Sequence, residues 1–137
     1  MKSVMLFGTF DILHLGHIAL FRQAKKYGDT LIVVIARDPI VAKVKGQKPI
    51  HSEQERMKLV KEIRLVDKVV LGDKTDTYTA FRRYRPDVVA LGYDQEAFVH
   101  GLLAIIREKQ MRTKIVRLEA YRPELYKSKK LKKYFGV

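Results

Sequence analysis

Leu31-Ile32-Val33-Val34-Ile35-Ala36 is apolar at every position, and that unbroken run restricts the folds open to this chain more than any other feature. An alternating strand can leave one face to water. This one cannot, so it suits a central strand of a sheet covered on both sides. Four further short runs share the β-branched or apolar bias, at residues 3–7, 68–71, 88–91 and 114–118. Segments of helical character lie between them, at 17–27, 52–63, 77–84 and 95–110. Strand and helix in alternation predict βαβ units and a mostly parallel sheet. Ser52 with Glu55 three residues on forms a capping-box pattern at a helix start. Ile18, Phe21 and Ala24 fall on one face of the first helix, with Leu20 beside them.

The 137 residues suffice for one domain, 1–137, with a basic segment at 121–137. The absence of cysteine excludes disulfides and thiolate chemistry. No apolar run approaches the roughly 20 residues of a membrane span, so a soluble, cytoplasmic protein without a membrane partner is expected. The formal charge of +13 raises nucleic acid as a partner. The cations are grouped, however, at Lys43, Lys45 and Lys48 and from Arg117 through Lys133. No zinc finger or aromatic RNA-binding strand accompanies them. Phosphorylated small molecules are therefore the expected partners, and nucleic acid is not.

In open α/β sheets, ligands lie beyond the carboxyl ends of the strands. The segments there hold Arg37-Asp38, Asp73, Gly92-Tyr93-Asp94-Gln95, residues 119–122 and, behind the first strand, Gly8-Thr9-Phe10-Asp11-Ile12-Leu13-His14-Leu15-Gly16-His17. A strand that turns at a glycine and feeds a helix N-terminus presents unpaired N–H groups to an anion. Two imidazoles beside it could stabilise charge growing on a phosphoryl group. The pair could instead be surface residues of a turn, or two metal ligands with Asp11 as the nearest third. The Gly8 turn, Gly16 between the rings and the strand–helix context favour phosphate chemistry.

Gly8-Thr9-Phe10-Asp11 followed by His14-Leu15-Gly16-His17 resembles the signature of the cytidylyltransferase-like nucleotidyltransferases. The resemblance extends to Ala36-Arg37-Asp38, Lys45-Gly46-Gln47-Lys48-Pro49 and Glu55-Arg56. It implies a doubly wound α/β fold, a five-stranded, mostly parallel sheet with helices on both faces. It also implies transfer of a nucleotidyl group from a nucleoside triphosphate to a phosphorylated acceptor. His14 and His17 would then donate to the triphosphate, with Gly8, Thr9 and Phe10 supplying the turn and backbone N–H groups. Lys45 and Arg56 would be basic contacts to phosphates, and Gly92, Asp94, Tyr121 and Ser128 further nucleotide contacts. Asp11, Asp38 and Lys45 would approach the acceptor, although Asp11 could equally shape the loop and Asp38 cap a helix. Mg²⁺ would be held by the phosphates, with no protein metal ligand. Small members of this family often pair, so a homodimer is among the expected partners.

Within the family, Leu91-Gly92-Tyr93-Asp94-Gln95-Glu96-Ala97-Phe98 is similar to the Gly-x-Asp-Gln-x-x-Phe run of archaeal-type FAD synthases, which transfer AMP from ATP to FMN. Glycerol-3-phosphate cytidylyltransferases, which use CTP, are the alternative. Tyr93, Phe98, Tyr121 and Tyr126 are candidates for a flat slot that would hold a flavin.

Overall fold

The computed structural model describes residues 1–92 and 95–120. Strands β1 (Ser3–Gly8), β2 (Thr30–Ile35), β3 (Lys68–Leu71), β4 (Val88–Leu91) and β5 (Lys114–Arg117) form one sheet in the order β3-β2-β1-β4-β5. Every neighbouring pair is parallel. The apolar run is indeed central, with residues 31–35 of β2 all buried. Helices α1 (Leu15–Lys25) and α3 (Glu53–Lys61) send Phe21, Ala24 and Val60 into one face of the sheet. Helices α4 (Thr79–Tyr84) and α5 (Glu96–Glu108) send Ala80, Phe81, Val99, Leu102 and Ile105 into the other. The fold is therefore the doubly wound α/β arrangement that the alternation and the resemblance implied.

The sequence reading passed over α2 (Asp38–Lys45). Its punctuation is nevertheless present in the chain. Pro39 stands just inside the start and Gly46, in the left-handed region at φ 75°, just past the end, the usual asymmetry of helix termini. Eight residues with one buried side chain, Val41, give too weak an apolar stripe to be seen by periodicity. The capping box at α3 forms as expected. Ser52 Oγ accepts from the Glu55 N–H at 3.2 Å, and the Glu55 carboxylate accepts from the Ser52 N–H at 3.2 Å.

Strand order reverses between β1 and β4, and the sheet divides there. Their pairing ends at Leu6 opposite Ala90. By contrast, β1 follows β2 as far as Gly8 opposite Ile35, and β4 follows β5 to Leu91 opposite Arg117. A crevice at the carboxyl ends of β1 and β4 follows from that split, where such sheets take their ligands.

Candidate active site

The loop leaving β1 enters this crevice with little freedom. A Cβ on Gly8 would lie 2.6 Å from the Phe10 ring, so only glycine admits that ring beneath the turn. Phe10 itself has φ 53°, uncommon for a residue with a side chain. Its ring is buried, edge-on to His17 at 5.2 Å and against Phe21 at 5.3 Å. That packing holds a strained backbone in place.

His14 and His17 cap α1 reciprocally. Nδ1 of His14 accepts from the Gly16 N–H at 3.1 Å, and Nδ1 of His17 accepts from the His14 N–H at 3.3 Å. The rings stack with centroids 3.9 Å apart. An Nδ1 that accepts carries no proton, so the neutral ring has its proton on Nε2. Each imidazole is thereby assigned as an Nε2–H donor. Burial lowers the His14 pKa; burial, then His14, then the charge of Lys45 bring that of His17 down to about 3. Both rings are therefore neutral at pH 7. Lys45 ends α2 as an exposed residue whose field reaches His17, so it belongs to the same neighbourhood.

Arg56, for which the resemblance implied a contact to phosphate, has a side chain that is 0% exposed. Nε donates to His51 C=O at 3.1 Å, Nη1 to Thr9 C=O at 2.7 Å, and Nη2 to Ala36 C=O at 2.8 Å and the Asp38 carboxylate at 2.6 Å. This guanidinium braces the loop from behind. Because N–H and C=O point oppositely in a trans peptide, pulling Thr9 C=O onto Arg56 turns the Phe10 N–H away from it. Asp38 is likewise committed: it is the first residue of α2, accepts from the Glu53 N–H at 3.2 Å and pairs with Arg56. Asp11, 1% exposed, accepts from the backbone N–H groups of Ile50 and His51, each at 2.8 Å. These bonds tie the loop after β1 to the segment before α3.

Two residues that the sequence reading did not assign complete the brace. Glu53 accepts from Arg37 Nε at 2.6 Å and from the Asp38 N–H at 2.9 Å. Gln95 joins the ends of β1 and β4, accepting from the Gly92 N–H at 2.8 Å and donating to Phe7 C=O at 3.2 Å. Gly92 therefore spends its N–H within the protein. Phe98, a candidate wall for a flavin, packs on Phe7 and stacks with Tyr78, both at 4.7 Å, in the apolar layer. Tyr93, Asp94, Tyr121, Tyr126 and Ser128 lie outside the described residues. Among the described residues, no group of three or more His, Asp or Glu side chains converges to hold a metal ion.

A parallel sheet split at its switch point, with a glycine turn and two imidazoles capping the next helix, is the arrangement of a nucleotidyltransferase-like α/β fold. The Cytidylyltransferase-like family model matches residues 5–133, and the chain belongs to that family. It is 43% identical over 121 residues to an FAD synthase of Aciduliprofundum boonei, covering 88% of this chain and 80% of that one. It is 40% identical over 133 residues to an FAD synthase of Thermoplasma volcanium, with 97% and 93% covered. Among solved structures, it is similar to the lipopolysaccharide core biosynthesis protein from Thermoplasma volcanium GSS1, with TM-score 0.81, 41% identity and 88% and 98% covered. A pantoate-beta-alanine ligase from Francisella tularensis, 16% identical with TM-score 0.65 over 99% of this chain and 70% of that one, shares the fold.

Proposed function

We propose that this chain is a nucleotidyltransferase that moves AMP from ATP to FMN, giving FAD and pyrophosphate. The observation that carries the chemistry is the pair of neutral imidazoles, each held by a hydrogen bond at Nδ1 and so left with an Nε2–H donor. Relatives named FAD synthase, 37–43% identical over most of the chain, support the choice of nucleotide and acceptor.

An FMN phosphate oxygen attacks the α-phosphorus of ATP, the bond to the β-phosphate oxygen breaks, and pyrophosphate leaves with its electron pair. The acceptor phosphate is already ionised at neutral pH, so no strong base is needed. Catalysis then lies in alignment and in donors aimed where charge grows. His14 and His17 donate to the triphosphate through Nε2–H, the turn at Gly8, Thr9 and Phe10 surrounds it with backbone N–H groups, and Lys45 adds positive charge.

The donor set does not fit a metal held by the protein. Ligation through Nε2 would require moving each ring proton to Nδ1, which would break both caps. A divalent cation such as Mg²⁺ would come with the triphosphate and would neutralise part of its charge, while His14, His17 and Lys45 act on the phosphates directly. Residues 1–137 work as one catalytic domain on water-soluble substrates in the cytoplasm. Among the described residues, no helix is long and apolar enough to cross a membrane, which by itself assigns no compartment.

The test is a pyrophosphate-release assay that crosses ATP and CTP with FMN and glycerol 3-phosphate, with products identified by mass. FAD from ATP and FMN is the expected product. CDP-glycerol in its place would overturn the choice of substrates, and no pyrophosphate from any combination would overturn the proposed reaction with these substrates.

A further inference from the structure

The register across the split shows which backbone groups face each other. Ser3 C=O accepts from β4's side, at Asp87 N–H, whereas Gly8 C=O accepts from Ala36 on the β2 side. Odd residues of β1 thus face β4. With Leu6 opposite Ala90, the next rung of a parallel ladder would run from Gly92 N–H to Phe7 C=O. A side chain stands in that rung instead. Gly92 N–H donates to Gln95 Oε1 at 2.8 Å, and Gln95 Nε2 donates to Phe7 C=O at 3.2 Å. Gln95 is the N-cap residue of α5, yet its side chain makes no capping bond. Its carboxamide serves the sheet rather than the helix.

We propose that Gln95 is a positioning residue for the nucleotide, its inserted carboxamide holding β1 and β4 apart and so fixing the width of the crevice that ATP enters. The proposal rests on the reading of the chain as an ATP-using nucleotidyltransferase. An amide suits the task because it offers one acceptor and one donor in a rigid plane, matching a lone N–H on one strand and a lone C=O on the other. The packing of Phe98, three residues on, against Phe7 keeps α5 seated behind it. Removing the amide lets the strands close onto each other or opens both groups to water. Either change alters the fit of the nucleotide without touching the reacting atoms.

Two variants test the proposal through calorimetric ATP binding, steady-state FAD formation and exchange of the Gly92 amide proton. Gln95→Ala removes the spacer, and ATP affinity should fall about tenfold, as expected for a stranded hydrogen-bonding pair. Gln95→Glu separates shape from spacing. Its carboxyl both accepts and donates only when protonated, so at pH 4, close to the ordinary glutamate pKa of about 4.3, ATP binding should recover towards that of the wild type at the same pH. At pH 8 the carboxylate has no donor for Phe7 C=O, and affinity should fall about tenfold relative to wild type at that pH. Turnover at saturating ATP should stay within about threefold of wild type, while Gly92 exchange accelerates along with the loss of affinity. ATP affinity that tracks the wild type at both pH values in Gln95→Glu overturns the proposal, and this comparison stands even if Gln95→Ala fails to fold. Wild-type protein that binds ATP but makes no FAD would defeat the functional reading alone, since the binding and exchange arms do not depend on FMN.

Discussion

His14 and His17 cap the start of α1 as neutral rings, whereas Arg56 carries a full charge and keeps it 0% exposed behind the same loop. Both regions hold groups suited to phosphate, and the fold uses them differently. At the start of α1, two imidazoles are held by capping bonds at Nδ1 and kept uncharged by burial. In the bracket formed by α2 and α3, charge is spent on three backbone carbonyls and one carboxylate. The contrast teaches that at this site a residue's chemical aptitude for phosphate is secondary to where its donors are already engaged.

Breaking the bracket should have the largest effect. Arg56→Met leaves Thr9, Ala36 and His51 carbonyls and Asp38 without their donor, and should cost about 3–5 kcal/mol of stability by urea unfolding. Arg56→Lys should recover little, because one ammonium cannot reproduce the fork that spans four acceptors. A variant as stable as the wild type would show that the guanidinium is dispensable to the fold.

Breaking the histidine pair should act on rate instead. His17→Asn retains an acceptor able to cap the His14 N–H but moves the outward donor. Turnover should fall on the order of 10²–10³ while ATP affinity changes far less, since the donor acts chiefly on charge that develops in transfer. Equal losses in affinity and turnover, measured together, would assign His17 to ground-state binding.

The smallest effect sharpens the claim that the ring is neutral. His17 titrates at about 3 in the folded protein and near 6.5 once exposed. Between those values the unfolded chain takes up a proton that the native ring refuses, so stability rises with pH from about 3 to 6.5 and the gain is lost on acidification through that window. The contribution is at most about 1.4 kcal/mol per pH unit, and less for a partly exposed ring. Denaturation of His17→Asn against wild type across pH 4–7 should show the shallower slope in the variant; parallel curves would mean that the native ring titrates normally.

Much of this was legible in the chain. The unbroken apolar run of β2 demanded a doubly covered strand, and Ser52 with Glu55 announced the start of α3, because each signal depends on residues close in sequence. The helix α2 was missed because its single buried residue leaves no periodic stripe, although Pro39 and Gly46 mark its ends. The partners of Arg56 were hidden for a related reason: sequence reports a cation, not which carbonyls lie around it. Gln95 was visible only as part of a motif, since its partners Phe7 and Gly92 come from different strands.

The sequence by itself determined the strand–helix alternation, the glycine turn and the two imidazoles at the start of α1, all consequences of local backbone preference and apolar patterning. Tertiary structure alone decided the protonation of those rings, the burial of Arg56 and the insertion of Gln95 into the split sheet. Each of these depends on the dielectric surroundings or hydrogen-bond partners supplied by segments distant along the chain, and those exist only once β1, β4 and the α2–α3 bracket have packed together.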